Sequence, residues 1–364
     1  QIVEALGIEN RFGNSIARIG ELGTFDKGLF AATEMLVDGF MYLYQADIIK
    51  RKVWDDLPIQ RLIQSGLIDE EVTPKTLQLL GERQAIDLHL RQQDFDYLVH
   101  YGVFREGLRF EQGAIVLEDG KRISAKMIDR ESFKTLCEHC LGTKLKHGAV
   151  IHAGFFLGPQ AFYQWLKDLP DEERKLINMR SVLRINQLYG HEALDRLQRR
   201  NARFVNTGMM VTLSGAVVSD GLEDGTVISG VGGQYNFVSM AHALPDGRSI
   251  LQIRSTRGSG ENLASNIIWN YGHTTIPRHL RDVIVTEYGI AELRGRTDEE
   301  IIKALLNVAD SRFQAELLEK AKDEGKLVGL VGELLKFLGQ LVHQVVETAG
   351  GVVERAGVDA EIVG

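Results

Sequence analysis

The chain has 364 residues, 44% of them hydrophobic, and a formal net charge of −8 at pH 7. This length can bury the core of one large or two ordinary domains. The acidic balance argues against nucleic-acid-binding and membrane-surface proteins, because both need a positive field that reaches into solvent. We therefore expect no nucleic acid and no membrane partner. The sequence also has no apolar stretch of roughly 20 residues and no signal-peptide pattern, so we expect a cytoplasmic protein.

The first segment, residues 1–66, alternates glycine-punctuated turns with apolar stretches and predicts a helical run from about Val37 to Gly66. Before that run stands Thr33-Glu34-Met35, a carboxylate between a predicted strand end and a helix start. A Thr-Glu pair in this position is most often an N-cap with an acid that matches the helix dipole. Taken alone, the position of Glu34 therefore favours an N-capping role over a catalytic one.

The second segment, residues 67–147, is charged and helical, with a hairpin indicated by Asp119-Gly120, and we interpret it as an inserted or peripheral subdomain. It contains the two cysteines of the chain, Cys137 and Cys140, with His139 between them. A closed zinc site usually needs four ligands, and no second Cys or His pair lies at a suitable spacing. We predict reduced thiols and no metal.

From residue 148 short apolar strands alternate with helical stretches, which is typical of an α/β fold. Ligands of such sheets bind at the carboxyl ends of strands. The predicted strands are Ala149–His152, Phe204–Asn206, Val227–Ile228, Ile250–Ile253 and Val283–Thr286, and the predicted helices are Pro159–Leu169, Ala193–Arg200, Asp298–Ala309 and Arg312–Glu324. We assign 148–325 to one C-terminal domain and 326–364 to an amphipathic helical tail that docks on the domain or on a partner subunit.

A glycine cluster, Ser229-Gly-Val-Gly-Gly-Gln-Tyr-Asn-Phe237, follows the predicted strand Val227–Ile228. Such a loop exposes N–H groups that can hold an anion or a developing oxyanion. It matches neither a P-loop nor a dinucleotide fingerprint. A plain turn explains it equally well.

Two further runs lie at predicted strand ends. In the first, Arg254-Ser-Thr-Arg257 places guanidinium groups where they suit a phosphate, although a solvated surface arginine is the better interpretation of any single one. The second, Val285 to Gly295, predicts a strand, a turn and a capped helix. Its Glu287 rivals Glu34 as a catalytic carboxylate, and we favour a structural hydrogen-bonding role for it.

Three of these runs, read together and in order, resemble the acetyl-CoA hydrolase/transferase family, which includes 4-hydroxybutyrate, butyrate and succinyl-CoA:acetate CoA-transferases. They are Ala32-Thr-Glu-Met-Leu-Val-Asp-Gly, Gly230-Val-Gly-Gly-Gln-Tyr-Asn-Phe and Thr286-Glu-Tyr-Gly-Ile-Ala-Glu-Leu-Arg-Gly. The resemblance implies an α/β fold of the NagB/RpiA/CoA transferase-like type, an open twisted mixed sheet flanked by helices. It also implies two linked lobes with the active site between them.

By this resemblance Glu34 is the nucleophile, and the loop of Gly232 and Gly233 lines the CoA and oxyanion site. The resemblance also brings Ser229, Met209 and Arg257 near positions that contact CoA, although the family more often has Lys in place of Arg257. The implied partners are an acyl-CoA and a small carboxylic acid, with coenzyme A as substrate and no cofactor. We expect a homo-oligomer.

The sequence departs from the family in the glycine-rich loop that precedes the nucleophile, for which there is no convincing match. Because the chain begins with Gln1 and lacks most of an N-terminal lobe, we expect it to be the C-terminal part of a longer enzyme. Residues 67–147 separate Glu34 from the CoA-contacting lobe by more than in shorter transferases. The tail is not a family feature.

The implied reaction is CoA transfer or hydrolysis on a short-chain acyl-CoA, acetyl-CoA first, through a glutamyl-CoA thioester with ping-pong kinetics. Two alternatives remain open. One is a non-catalytic CoA-binding module for regulation or assembly, which would keep Gly233 and Arg257 without needing Glu34. The other is a nucleotide- or sugar-phosphate-binding enzyme, which the missing phosphate-binding fingerprints disfavour.

Overall fold

The computed structural model describes residues 26–327. These residues divide after Arg200 into two compact units, the first within Thr24–Arg200 and the second from Asn201 onward. The predicted tail 326–364 falls outside the described residues except at its first two positions, and so does Gln1. The predicted domain start at residue 148 differs from this division and stays a prediction.

The first unit contains a parallel sheet, a small antiparallel sheet and short helices. Its strands are β1 (Ala31–Leu36), β2 (Arg109–Glu111), β3 (Ala114–Val116), β4 (Arg122–Ser124), β5 (Ile151–Phe156) and β6 (Ile177–Met179). Its helices are α1 (Asp38–Gln45), α2 (Leu57–Gln64), α3 (Pro74–Glu82), α4 (Gln92–His100), α5 (Arg130–His139), α6 (Gln160–Asp168), α7 (Asp171–Arg174), α8 (Val182–Ile185) and α9 (Glu192–Gln198).

The parallel sheet has the strand order β1-β5-β6, with Ala31 opposite Ile151 and Ile151 opposite Ile177. Leu36 and Ile151 of the sheet and Phe162 of α6 are fully buried and belong to one hydrophobic cluster. Parallel strands need long crossover connections. Helices α6 and α7 connect β5 to β6, whereas the whole segment 54–148 lies between β1 and β5 in the chain.

That segment has its own hydrophobic cluster, which runs from Trp54 to Leu145 in sequence. Strands β3 and β4 form the predicted hairpin, and Gly120 in its turn has φ +83°, which glycine adopts without strain. At the ends of the segment, Val53 and Ala149 exchange two backbone hydrogen bonds of 2.9 Å. Its status as an inserted subdomain, 67–147, stays a prediction.

Within the described residues the second unit contains the other nine strands and three longer helices. The strands are β7 (Arg203–Thr207), β8 (Met210–Thr212), β9 (Val217–Val218), β10 (Arg248–Gln252), β11 (Thr256–Arg257), β12 (Ala264–Ser265), β13 (Ile267–Ile268), β14 (Val283–Thr286) and β15 (Gly289–Glu292). The helices are α10 (Gln234–Ala243), α11 (Asp298–Asn307) and α12 (Ser311–Asp323), and two 3₁₀ turns cover Gly260–Asn262 and Arg278–Leu280.

The main sheet of this unit has the order β15-β14-β10-β7. Strands β7, β10 and β14 are parallel, and β15 runs antiparallel to β14. Leu251 and Ile284 of the sheet and Ile301 and Leu305 of α11 belong to one buried cluster. A capping box between Thr297 and Glu300 starts α11. The predicted α/β architecture, with mixed sheets flanked by helices, is confirmed.

Three local predictions are wrong. Residues 290–292 continue a strand rather than a helix, because β15 pairs back along β14 across the turn at Glu287 and Tyr288. The predicted strand Val227–Ile228 is a single bridge between Gly221 and Val227. The helical run from Val37 to Gly66 is two helices, since α1 ends at Gln45 and α2 begins at Leu57.

Candidate active site

Glu34 is the fourth of the six residues of β1 and is half-buried. The prediction that it stands between a strand end and a helix start is therefore wrong. Val37 is the N-cap of α1, so Glu34 has no capping role. Its Oε2 accepts a hydrogen bond of 2.8 Å from Asn186 Nδ2. Within the described residues its Oε1 accepts none, so one carboxylate oxygen is held and the other is free.

A glycine lies beside Glu34 on the next strand. Gly154 stands between Ala153 and Phe155, which pair with Thr33 and Met35 of β1. A Cβ at position 154 would lie 2.9 Å from Glu34 O and 3.0 Å from Val182 Cγ2. Only a residue without a side chain therefore lets α8 lie this close to the sheet. That approach brings Asn186, the residue after α8, to the carboxylate.

Behind Asn186 lies a buried group of charged side chains. Arg184 Nη2 is 3.2 Å from Asp195 Oδ1, and Arg199 is 7% exposed. Burial raises the pKa of Asp195, an effect that Arg199 and Arg184 partly oppose. Burial also lowers the pKa of nearby His152 to about 4, and both guanidinium groups add to this. His152 is therefore a neutral imidazole at physiological pH.

The glycine loop of the second unit precedes α10. Gly232 has φ +56°, a conformation that favours glycine, and Gly233 is the buried N-cap of the helix. Within residues 26–327 the N–H groups of Gly232 and Gly233 donate no hydrogen bond. Gln234 Nε2 donates to Thr207 O at 2.8 Å, which ties this helix start to the carboxyl end of β7. A helix start with free N–H groups is an anion-binding arrangement.

The other CoA-contacting candidates also lie in the second unit. Met209 follows β7 and is half-buried, and its N–H donates to Val218 O at 2.8 Å. Ser229 is exposed, and its hydroxyl donates to the adjacent Gly230 O at 3.4 Å. Arg257, on β11, is exposed but held, because its Nη1 donates to Ser265 O at 2.6 Å and to Asn266 Oδ1 at 3.0 Å.

Glu287 follows β14, and Ser255 binds its carboxylate. Ser255 donates to it through its hydroxyl at 2.6 Å and its N–H at 2.9 Å. Burial opposes ionisation of Glu287, but these bonds hold its pKa below the ordinary value. Glu287 therefore makes the expected hydrogen bonds, and its structural rather than catalytic role stays a prediction.

The two cysteines lie at the end of α5. Burial raises the pKa of the Cys140 thiol to about 11 and also raises that of Cys137. Within the described part of the chain no group of three or more His, Cys, Asp or Glu side chains is arranged to hold a metal ion. No helix of that part is long and apolar enough to cross a membrane.

The candidates divide between the two units. Glu34 belongs to the first, whereas Met209, Ser229, Gly232, Gly233 and Arg257 belong to the second. Sequence reasoning missed Asn186, which is 152 residues from Glu34 and lies in no recognisable motif. It also missed Gly154, although a glycine inside a strand is a signal of close backbone approach.

Residues 158–321 match the family model of the acetyl-CoA hydrolase/transferase C-terminal domain. The matched range includes the glycine loop and Glu287 and begins after Glu34. The family predicted from the motifs is confirmed for this range.

Among curated proteins, 4-hydroxybutyrate coenzyme A transferase of Clostridium kluyveri is 30% identical over 182 residues, which are 49% of this chain and 39% of that protein. A probable butyrate:acetyl-CoA coenzyme A-transferase of Syntrophomonas wolfei is 34% identical over 122 residues, 32% of this chain and 27% of that protein. The matches thus span about two fifths or less of these relatives. Among solved structures, RipA from Yersinia pestis is 31% identical with a TM-score of 0.41, over 49% of this chain and 38% of that one.

Proposed function

We propose that this chain acts as an acyl-CoA transferase or hydrolase with Glu34 as its covalent nucleophile. Its residues 158–321 match the C-terminal domain of the acetyl-CoA hydrolase/transferase family. The observation that carries this proposal is the Glu34–Asn186 contact of 2.8 Å. Through this contact one oxygen of the Glu34 carboxylate on β1 is fixed, and the other is available for attack.

In the proposed reaction Glu34 Oε1 attacks the carbonyl carbon of an acyl-CoA. The C–S bond breaks, and a mixed anhydride and CoA thiolate form. The thiolate then attacks the Glu34 carboxyl carbon, which releases the acid as a carboxylate and leaves a glutamyl-CoA thioester. A second carboxylate reverses these steps in a transferase, whereas water gives Glu34 and free CoA in a hydrolase.

This chemistry makes modest demands on the protein. Carboxylates are ordinarily ionised at neutral pH, and a thiolate of pKa about 8.5 leaves readily, so neither a strong base nor a strong acid is needed. The remaining requirement is the oxyanion, for which one donor contributes about 3 kcal/mol. We assign that role to the free N–H groups of Gly232 and Gly233. Met209, Ser229 and Arg257 are proposed contacts for CoA.

The names of the relatives support a short-chain acyl group. Those names specify 4-hydroxybutyrate and butyrate, with acetyl-CoA as the partner of the second. We therefore propose acetyl-CoA as the first substrate to test and acetate as an acceptor. The two free cysteines agree with a reducing compartment, so we propose the cytoplasm as its location.

The test is the intact mass of the full-length protein after incubation with acetyl-CoA. A CoA-sized gain, with loss of water, is expected in the wild type and absent in Glu34→Gln. Glu287→Gln is the matched control and should keep the gain. If the adduct is lost in Glu287→Gln but kept in Glu34→Gln, the nucleophile is Glu287. CoA binding without any adduct would favour the non-catalytic module.

Transfer and hydrolysis can be separated in the same preparation. Acetate labelled with carbon-13 should appear in acetyl-CoA if a carboxylate accepts the CoA. Free CoA should accumulate without acetate if water does. Incorporation of labelled acetate into acetyl-CoA at a rate much higher than the release of free CoA would identify a transferase.

A further inference from the structure

The guanidinium group of Arg199 binds two main-chain carbonyls on either side of Asn186. Its Nη2 donates to Arg184 O at 2.9 Å and its Nη1 to Gln187 O at 3.2 Å. Arg199 directly follows α9 and is 7% exposed. The buried, planar guanidinium group, with its two donors, thus bridges the short stretch of backbone that carries the Asn186 side chain.

This stretch cannot hold its own conformation. Helix α8 has four residues, a single turn, and isolated helices of this length are unstable in water. Its last carbonyls lack helical partners and need outside donors. Arg199 supplies one such donor to Arg184 O and a second to Gln187 O just beyond the helix, with a positive charge that suits a helix C-terminus.

A second contact joins the same two helices. Arg184 Nη2 of α8 lies 3.2 Å from Asp195 Oδ1 of α9, and the Asp195 side chain is 2% exposed. The turn that ends α8 is therefore fixed to α9 through both its main chain and a side chain.

The Asn186 side chain has a single anchor. Its Nδ2 donates to Glu34 Oε2, while within the described residues its Oδ1 is buried and accepts no hydrogen bond. No second side-chain bond fixes the direction of the amide, so that direction follows the backbone of residue 186. The N–H of Asn186 donates to Val182 O at 2.9 Å, and Arg199 binds the carbonyls of residues 184 and 187 on either side.

We propose that Arg199 is a positioning residue, which orients the Asn186 amide and through it the carboxylate of Glu34. This inference rests on the proposed function, since it matters for catalysis only if Glu34 reacts. A fork that binds two carbonyls cannot be replaced by a single ammonium group without loss of geometry. A misplacement of about 1 Å at a reacting group can lower the rate a hundredfold.

The test compares Arg199→Lys with Arg174→Lys in the full-length protein. Arg174 Nη2 also donates to two carbonyls of the same unit, Lys167 O at 3.0 Å and Leu169 O at 2.8 Å, but these do not flank Asn186. We expect Arg199→Lys to lower kcat for acetyl-CoA:acetate exchange at least tenfold with KM for acetyl-CoA within twofold. Arg174→Lys should leave both unchanged.

A double-mutant cycle with Asn186→Ala separates positioning from general structural support. If Arg199 acts through Asn186, Arg199→Lys should lower kcat less than twofold in the Asn186→Ala background. An equal loss in both backgrounds, or an unchanged kcat in folded Arg199→Lys, overturns the proposal. If Arg199→Lys does not fold, Arg199→Gln, which keeps a side-chain N–H donor but not the fork, takes its place in the cycle.

A crystal structure of the folded variant gives a readout that does not depend on activity. We expect the Asn186 Nδ2 to Glu34 Oε2 separation to exceed 3.5 Å in Arg199→Lys and to stay near the 2.8 Å of the native chain in Arg174→Lys. An unchanged separation overturns the positioning role. A wild type that forms no CoA adduct at Glu34 counts against the proposed function instead, and the separation still tests the geometry.

Discussion

Ser255 binds both carboxylate oxygens of Glu287, through its hydroxyl at 2.6 Å and its N–H at 2.9 Å. Glu34, by comparison, has one oxygen bound by Asn186 Nδ2. Hydrogen bonds to both oxygens withdraw charge from a carboxylate and so lower its nucleophilicity more than one bond does. The two acids are therefore unequal candidates, and the difference gives a first prediction.

Glu287→Gln is expected to destabilise the protein without removing the CoA adduct. The neutral amide presents an NH₂ group where Ser255 now meets an oxygen, and for a partly exposed site we expect a loss of about 1 kcal/mol. Because the folded pKa of Glu287 is depressed, its stabilisation is complete at neutral pH and disappears as the pH falls through that pKa. Urea unfolding at pH 7 and at pH 3 should show a smaller difference from wild type at pH 3 than at pH 7.

Asn186→Ala should slow acylation of Glu34 while leaving the fold intact. The amide holds one oxygen of the Glu34 carboxyl group in place, and a misplacement of about 1 Å at a reacting group can lower the rate roughly a hundredfold. Asn186→Asp should be slower still, because two carboxylates would face each other. Single-turnover adduct formation measures both, and a wild-type rate in Asn186→Ala would remove Asn186 from the site.

Gly154→Ala should disturb Glu34 through contact with its main chain. The new Cβ would lie 2.9 Å from Glu34 O and 3.0 Å from Val182 Cγ2, and overpacking of this kind costs about 1–3 kcal/mol. Gly39→Ala is the matched control. Nothing lies within 4 Å of its Cβ position, and alanine is the better helix former in α1. Thermal unfolding should give a lower Tm for Gly154→Ala and an equal or higher Tm for Gly39→Ala.

His152 should make the protein sensitive to mild acid. Its folded pKa of about 4 lies below the ordinary 6.5, so the unfolded chain binds more protons between these values and stability falls as pH drops through this window. The full effect is roughly 3 kcal/mol. The urea midpoint should fall less between pH 7 and pH 4.5 in His152→Gln than in wild type. His89→Gln changes an exposed histidine and should keep the wild-type dependence.

The elements that sequence predicted well are those whose signals are local. Thr297 and the acids after it indicate where α11 begins, and the β-branched run of β14 predicts its whole length. The prediction of a helix at residues 290–292 was wrong because Ile290, Ala291 and Glu292 suit a helix as well as a strand. Pairing with β14, a tertiary interaction, decides between the two.

The site was predictable only in part for the same reason. The motif around Glu34 is contiguous, so the resemblance could identify it as a candidate nucleophile, a role that stays a prediction. Asn186 is 152 residues away, and no short pattern connects the two positions. The burial of Arg199, which follows from the packing of α9 against other elements, is likewise absent from the local sequence.

The paired backbone of Val53 and Ala149 has a consequence for how this protein can vary. A segment that leaves and re-enters a structure at one bonded pair has its ends fixed whatever its length, and lengthening such a loop adds little entropy cost. The segment between them also has its own hydrophobic cluster. Length changes in an exposed turn of this segment, such as the turn at Gly120, can therefore leave the alignment of β1 with β5, and with it Glu34, unchanged.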